Sequence, residues 1–521
     1  MSSARTSAET GVHDDPIKEE YCKGHIEKTD IYLRRRDYYL FQDNMLFISA
    51  LSAIERFRWP QAVLAMVGLI SLCHIILDAE KKKHGDLFRV GPDAVVISDS
   101  EAWNQITSAR SPYTRGLWYG GTRFDYRGPN VITELDMPKH GKRKSKLASA
   151  FSGKHLAILE AKTDKWIAAL ITTIRAKITN GNETLDIGRM IQYFQVDLIT
   201  DLGVGQAWKD LEEDKDHFGY LKMSDLVLPV IQSFSFLPLA RALYSSIWFM
   251  KLFGPKTTDT NGLGLFLGIL EKEVKSRFSH NTPKSDASFD ILDEWIRHGV
   301  PANECQFDLA LLVPAGSETT AMMIKGTLLH LMSSPMIYQK AKQEIKNEIA
   351  AGRISSPVTN EEAKSLEYMQ AIVREGLRLM VPVNFGFPKR VPDSGDTLCG
   401  TFLPAGTDIY VNYHSMMRNK EVFGEDADSF RPERFLGSGP NNAHMVKVVE
   451  LAFGNGRFMC LGKVLAWIEM NKLFIELLRN FDFQITNPEK PWSRASYTTW
   501  IVYDFWVRVT EDTTIGDAKH L

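Results

Sequence analysis

Cysteine is scarce in this chain of 521 residues: five in all, at Cys22, Cys73, Cys305, Cys399 and Cys460. They are odd in number, widely scattered and form no C-x-x-C pair. That excludes a secreted disulfide scaffold and a zinc cluster, and points to a reducing compartment. An excess of one charge is also missing. Sixty-two Lys and Arg against 64 Asp and Glu leave a net charge of −2, so nothing draws the whole chain toward nucleic acid. No fixed-period repeat and no long Gly/Ser or Pro-rich linker divides the sequence, and no flavin or nicotinamide motif is present. The N-terminus lacks a standard signal peptide, since residues 1–40 are polar and charged, with Arg34 to Arg36 among them. What remains is ordinary globular composition, 44% hydrophobic and 24% charged, in one very large domain or two to four average ones.

Residues 1–60 read as a polar extension expected to lack order. The run Gln61 to Leu77, "QAVLAMVGLISLCHIIL", is 17 residues without Asp, Glu, Lys or Arg. At 1.5 Å per residue it reaches about 25 Å, the lower limit for a bilayer span. It reads either as a membrane helix or as a buried or surface-lying helix of the domain that follows. Arg56 and Arg58 before it and Lys81 to Lys83 after it leave its orientation open.

From Leu87 to Asp99 apolar residues alternate around a Gly91-Pro92 turn, which predicts short strands. Residues 140 to 380 read mainly as helix: Leu366, Met369, Ile372, Val373, Leu377 and Met380 form one stripe. Short strands return between Arg390 and His414. A last long helix follows Cys460, and the tail "YTTWIVYDFWVRV" reads as strand. The expected class is mainly α with small β-sheets.

One stretch stands apart: "FGNGRFMCLG", Phe453 to Gly462. Glycines 454, 456 and 462 permit a tight turn and the close approach of a flat ligand. Cys460 precedes a helix, whose N-terminal dipole favours a thiolate, and Arg457 can reach an anionic group on a ligand edge. A thiolate so held is a soft metal ligand; on iron protoporphyrin it favours O–O cleavage. The alternative is a buried structural cysteine in a glycine-rich turn.

The pattern F-x-x-G-x-R-x-C-x-G resembles the haem-binding signature of the cytochrome P-450 superfamily, carried here by Phe453, Gly456, Arg457, Cys460 and Gly462. Three more motifs follow the family's order: "AGSETT" (Ala315 to Thr320), Glu375 and Arg378 in "EGLR", and Arg434 in "FRPERF". The resemblance runs from about residue 85 to the C-terminus, and "SPYTRGLWY" and "KKKHGDLFRVGP" are similar to a filamentous-fungal, pisatin demethylase-like branch. It implies the superfamily fold, with haem b between a central oxygen-activation helix and the cysteine loop. Cys460 becomes the iron ligand. Ala315 and Gly316 become a groove for cofactor and dioxygen, Thr319 the hydroxyl that bonds dioxygen, and Glu318 the source of protons. Arg457, Arg390, His140 and Lys144 become propionate contacts, with Arg143 as a substitute for Lys144. Glu375, Arg378 and Arg434 become a structural triad. Lys142 and Lys146 are read as a docking face for an acidic electron donor.

The resemblance further implies a monooxygenase inserting one atom of dioxygen into an apolar small molecule in fungal secondary metabolism. NADPH and flavins would act only through a separate reductase, NADPH–cytochrome P-450 reductase, with cytochrome b5 as an additional donor. A monomer on the cytosolic face of the endoplasmic reticulum membrane is expected, without nucleic acid. Val227 to Phe253 should roof the pocket, and Val381 to Pro388 with Ser496 to Trp500 should line it. A haem-thiolate isomerase or dehydratase, and a non-catalytic haem-binding protein, are the alternatives.

Overall fold

A computed structural model describes residues 73–181, 184–279 and 289–514. The polar extension 1–60, and residues 61–72 of the apolar run, lie outside the described residues. The end of that run is built into the domain. Helix α1 (Cys73–His84) leads into hairpin β1 (Leu87–Gly91) and β2 (Ala94–Ile97). Leu77 is buried in a small core with Phe88, Val96, Trp118 and Phe385. Asp78 accepts from Ser415 and pairs with His414 at 3.3 Å. These contacts tie residues 77 and 78, which lie before the expected boundary at 85, to the folded domain. Among the described residues no single helix is long and apolar enough to cross a membrane.

The helices that follow are α2 (Ser100–Thr107), α3 (Met137–Leu147), α4 (Leu156–Thr179) and α5 (Ile187–Val204). Then come α6 (Tyr220–Phe236), α7 (Pro238–Ser245), α8 (Ile247–Phe253), α9 (Gly262–Ser279) and α10 (Ala302–Met332). Their starts follow local chemistry. The carboxylates of Asp99, Asp136 and Asp186 accept the free N–H groups of Ala102, Lys139 and Arg189 at the first turns of α2, α3 and α5. At 31 residues α10 is about 46 Å long and runs through the centre of the domain. It packs along α5, α9 and α12 (Glu367–Leu379), reached through α11 (Pro335–Ala350). The stripe anticipated from Leu366 to Met380 is the buried face of α12. Helix α13 (Pro440–Glu450) leads to the cysteine loop, and α14 (Lys463–Asn480) leaves it.

The strands stay small, as the sequence implied. One sheet has the order β1-β2-β8-β5-β3, where β3 is Thr114–Arg115, β5 Phe385–Arg390 and β8 Asp408–Asn412. Strands β2 and β8 pair in parallel; the other neighbours are antiparallel. A second sheet joins β4 (Thr184–Asp186), β12 (Trp506–Glu511) and β9 (Phe481–Ile485). Hairpins β6–β7 (Asp396–Leu398, Thr401–Leu403) and β10–β11 (Ser493–Ser496, Trp500–Tyr503) complete the set. The tail read as one strand breaks at Asp504, whose φ of 56° ends β11 and lets β12 leave for another sheet.

The placement of Leu77 and Asp78 sets a test. A chain beginning at residue 73 should fold and load haem. One beginning at residue 81 loses a buried leucine and an anchored carboxylate, and should be at least about 3 kcal/mol less stable. Thermal denaturation of the two truncations decides it; equal midpoints would mean α1 contributes nothing.

Candidate active site

The three residues of the structural triad meet as expected. Glu375 and Arg378 lie one helical turn apart on α12, and the guanidinium forks the carboxylate at 2.6 and 2.8 Å. Arg434 donates to the same carboxylate at 3.0 Å, as does the Arg431 backbone N–H at 2.8 Å. Glu375, Arg378 and Arg434 are all buried. The remaining guanidinium hydrogens go to carbonyls of a segment with little regular structure: Met417, Ala427 and Ser429 from Arg378, Phe423, Asp426 and Ser429 from Arg434. Such a site stays charged without penalty only while every member is present.

The cysteine loop bends as its glycines allow. Gly454 and Gly456 have φ of 71° and 51°. The Cys460 N–H donates to the Phe453 carbonyl at 2.7 Å, which closes the loop. Gly456 does not open space for a cofactor, contrary to expectation. A side chain there would meet the backbone of Thr107 to Ala109 at 2.6–2.7 Å, so the residue lets the loop dock on the end of α2. Cys460 is exposed on one side. Burial on its other sides pushes the thiol up, while the N–H groups of Gly462 and Lys463 and the charge of Lys144 favour the thiolate.

Around Phe458, two residues before the cysteine, positive groups gather. Arg115, Lys389 and Arg457 lie 5.3, 4.4 and 5.9 Å from its ring centroid, and His140 stacks at 6.1 Å. Arg115 donates to His140 Nε2 at 3.1 Å; since a guanidinium only donates, the imidazole proton sits on Nδ1, which has no partner. Burial, and then Arg115, hold the imidazole down at about 3. Lys389 is fully buried against Tyr119 Oη at 2.9 Å, and burial and Arg115 press it well below the ordinary lysine range. The Nε atoms of Arg115 and Arg457 are buried and unpartnered. Among the described residues no carboxylate forms an ion pair with Arg115, Lys144, Lys389 or Arg457. So much like charge held without a counter-anion needs a dianionic ligand edge, and the two propionates of a haem next to a thiolate fit that need.

Two members of this cluster, Arg115 and Lys389, were not anticipated, and three expectations need correction. Arg390 is bound at 3.0 Å to Asp408 and faces away; the two-residue period of β5 puts its neighbour Lys389 in the cluster instead. Arg143 cannot replace Lys144, because it is buried in a pair with Asp308 of α10 at 2.6 Å. Lys144 itself spends its ammonium on the carbonyls of Arg457 and Met459 at 2.8 and 2.6 Å, so it clamps the loop.

On α10, Ala315 is exposed and Thr319, one turn on, is partly so. Thr319 Oγ1 donates to the Ala315 carbonyl at 2.7 Å. Gly316 does not form the expected groove. A methyl there would lie 2.6 Å from Ile199, so this glycine serves the packing of α10 on α5. Glu318 turns toward α5 and α6, accepting from Ser224 at 2.8 Å and from Gln192 at 3.4 Å. Burial raises its pKa, against the Ser224 hydroxyl. The segments expected to enclose a pocket do converge: Asn384 N–H donates to Thr498 O at 3.0 Å, Val383 bridges Thr499, and Gln232 of α6 receives the N–H of Thr498 at 3.0 Å.

The family model described as cytochrome P-450 matches residues 70–500. The chain belongs to the cytochrome P-450 family. It is 38% identical to the cytochrome P-450 monooxygenase aba1 of Botryotinia fuckeliana over 82% of this chain and 85% of that one. It is 35% identical to ABA1 of Pyricularia oryzae (81% and 84%) and 35% identical to abl1 of Leptosphaeria maculans (80% and 74%). The protein is thus a fungal-type P-450 monooxygenase that uses haem b.

The uncompensated cations lead to a prediction with opposite signs. Lys389→Met should leave the haem-free protein at least as stable, because a charge held against burial and Arg115 is removed. The same change should speed haem transfer to an acceptor apoprotein roughly 10-fold. Loss of stability without faster transfer would make Lys389 a packing residue only.

Proposed function

We infer that haem binds beside the exposed Ala315 and Thr319 of α10, with Cys460 as the residue that would ligate its iron, and that the enzyme oxygenates a bulky apolar small molecule of secondary metabolism. The observation that carries this reading is the ring of cations around Phe458, with which no carboxylate among the described residues forms an ion pair. Haem bound there supplies the activation of dioxygen and the transfer of one oxygen atom to a C–H or C=C bond. Arg115, Lys389, Arg457 and the Nδ1–H of His140 would bond its propionates. Lys144 keeps the loop closed around the sulfur, and the N–H groups of Gly462 and Lys463 stabilise negative charge on it.

Protons reach the site through α10. Glu318 lies toward α6, which also carries Asp225, whose carboxyl burial and then Glu318 push up to about 6. A carboxyl raised in this way can take a proton on the Ser224 side and release it on the Thr319 side after a rotamer change. Thr319 donates to its own helix, so its oxygen is left to accept a hydrogen bond from that acid. This acid–hydroxyl pair favours oxygenation over isomerase or dehydratase chemistry.

Electrons would come from NADPH through a separate flavoprotein reductase, with cytochrome b5 as a second donor. A cavity of about 770 Å³ borders the cysteine loop at Gly454 and Met459; Lys364, Arg374 and Lys447 line it beyond the Lys463–Glu450 pair and Glu101, an excess of positive charge that supports docking of an acidic donor there. Lys146 is less suited, being bonded to the Gly299 carbonyl. Leu239, Trp248, Leu252 and Phe253 of α7 and α8 are exposed, an apolar patch that supports contact with the endoplasmic reticulum membrane by a monomer with its haem domain in the cytosol.

The ferrous–CO complex should show the red-shifted Soret band of thiolate ligation, and Cys460→Ala should abolish it. A retained band would refute the assignment.

Thr319→Ala should keep that band and consume NADPH while product falls at least about 10-fold and peroxide rises. Arg378→Ala should instead lose the fold around the loop, by about 3–5 kcal/mol, and with it the haem. Equal haem loss in both variants would end this division of roles.

A further inference from the structure

Three buried polar atoms around Gly386 have no hydrogen-bond partner: the indole Nε1–H of Trp118, the amide Oδ1 of Asn384 and the hydroxyl Oγ1 of Thr498. The residues are 2%, 1% and 1% exposed. Their surroundings are otherwise well bonded. Asn384 Nδ2 donates to Ser496 Oγ at 2.5 Å, and the Thr498 N–H to Gln232. The Trp118 ring is held among Tyr119, Phe387 and Phe236 at 5.2, 5.5 and 5.9 Å between centroids. The atoms are therefore fixed in place and left unpaired, a costly state that native interiors seldom keep without a ligand or a water.

They also converge. A methyl group built on Gly386 would lie 3.6 Å from Thr498 Oγ1 and 3.6 Å from Trp118 Cζ2, two bonds from Nε1. Gly386 has φ of +119°, so no side chain is favoured at this point. Asn384 is two residues earlier, and its backbone N–H donates to the Thr498 carbonyl at 3.0 Å. The site lies where the roof helix α6, the Thr498–Thr499 turn and strand β5 meet, and β5 continues to Lys389 in the cation cluster.

The donor set selects a ligand. Trp118 can only donate, the Asn384 oxygen can only accept, and Thr498 can do either. A carbonyl would leave Asn384 unpaired. A carboxylate would place negative charge against the Asn384 oxygen. A neutral hydroxyl both accepts and donates. We propose that Trp118, Asn384 and Thr498 form a hydroxyl-recognising subsite, so that the substrate is an apolar molecule already carrying an alcohol. This rests on the monooxygenase reading above and names the substrate class within it. Holding the alcohol at these atoms orients the apolar remainder for reaction, and the reaction that supplies this substrate must install or unmask the hydroxyl.

The test uses the full-length haem-loaded protein, its ferrous–CO spectrum recorded first so that failure of the monooxygenase reading is seen separately. Decalin, decalol and decalone are compared by equilibrium dialysis, which needs no turnover. Decalol should bind roughly 10-fold more tightly than both decalin and decalone. Trp118→Phe and Thr498→Val should each remove that advantage while decalin affinity stays within about 2-fold. Equal affinities for the three probes overturn the proposal. So do variants that weaken decalin and decalol alike, and so does a decalol complex in which a water sits on these atoms and the alcohol lies elsewhere.

Discussion

The Glu375 carboxylate is the point on which the cysteine side of the molecule depends. It is buried and takes two guanidiniums and a backbone N–H. Those guanidiniums, in turn, are the fastening of residues 417 to 434, a stretch of short turns with little regular structure to hold its own backbone groups. From there the chain runs through α13 into the cysteine loop. Removing either arginine would strand a buried carboxylate and release several carbonyls at once, so the loop's geometry is set far from the loop itself.

The second charge cluster has the opposite character. The triad is closed: Glu375 and Asp426 face Arg378, Arg431 and Arg434, and carbonyls take the remaining hydrogens. The cluster at Phe458 is open: among the described residues its cations and neutral imidazole have no carboxylate in an ion pair with them. The closed set can form before any ligand arrives and shape the loop. The open set opposes its own assembly until an anionic edge binds, which links haem loading to stability of this half of the domain. The two sets divide scaffold from ligand recognition by charge balance alone.

This distinction explains what the sequence could disclose. Glu375, Arg378 and Arg434 were legible because each belongs to a motif with fixed spacing. Helix α12 was legible from its stripe, and the small sheets from alternation and turns. Lys389 was missed for its neighbour Arg390, since a strand of period two turns a one-residue error into the opposite face; the acid that claims Arg390, Asp408, is 18 residues away. Arg115, in a two-residue strand, offered only the "SPYTRGLWY" resemblance as a signal. Gly316 and Gly456 were correctly singled out as glycines, but what each makes room for is decided by a distant segment, Ile199 in one case and the end of α2 in the other. The boundary at residue 85 failed for a like reason: Leu77 and Asp78 look like the end of an apolar run until their partners near residues 385 to 415 are known.

Helix α10 shows how one short motif serves three neighbours. At about 100° per residue, Ala315 and Thr319 fall roughly 40° apart and share one face. Gly316 is turned by about 100° from Ala315, toward α5, and its missing side chain sets how closely the helices approach. Glu318 is turned by about 60° the other way, toward Ser224 of α6. A change at Gly316 would push α5 outward and move Gln192, one of the two groups that hold Glu318. The spacing within "AGSETT" thus couples helix packing, the placement of the Glu318 carboxyl and the open face, and a single inserted residue would turn the three faces out of register together.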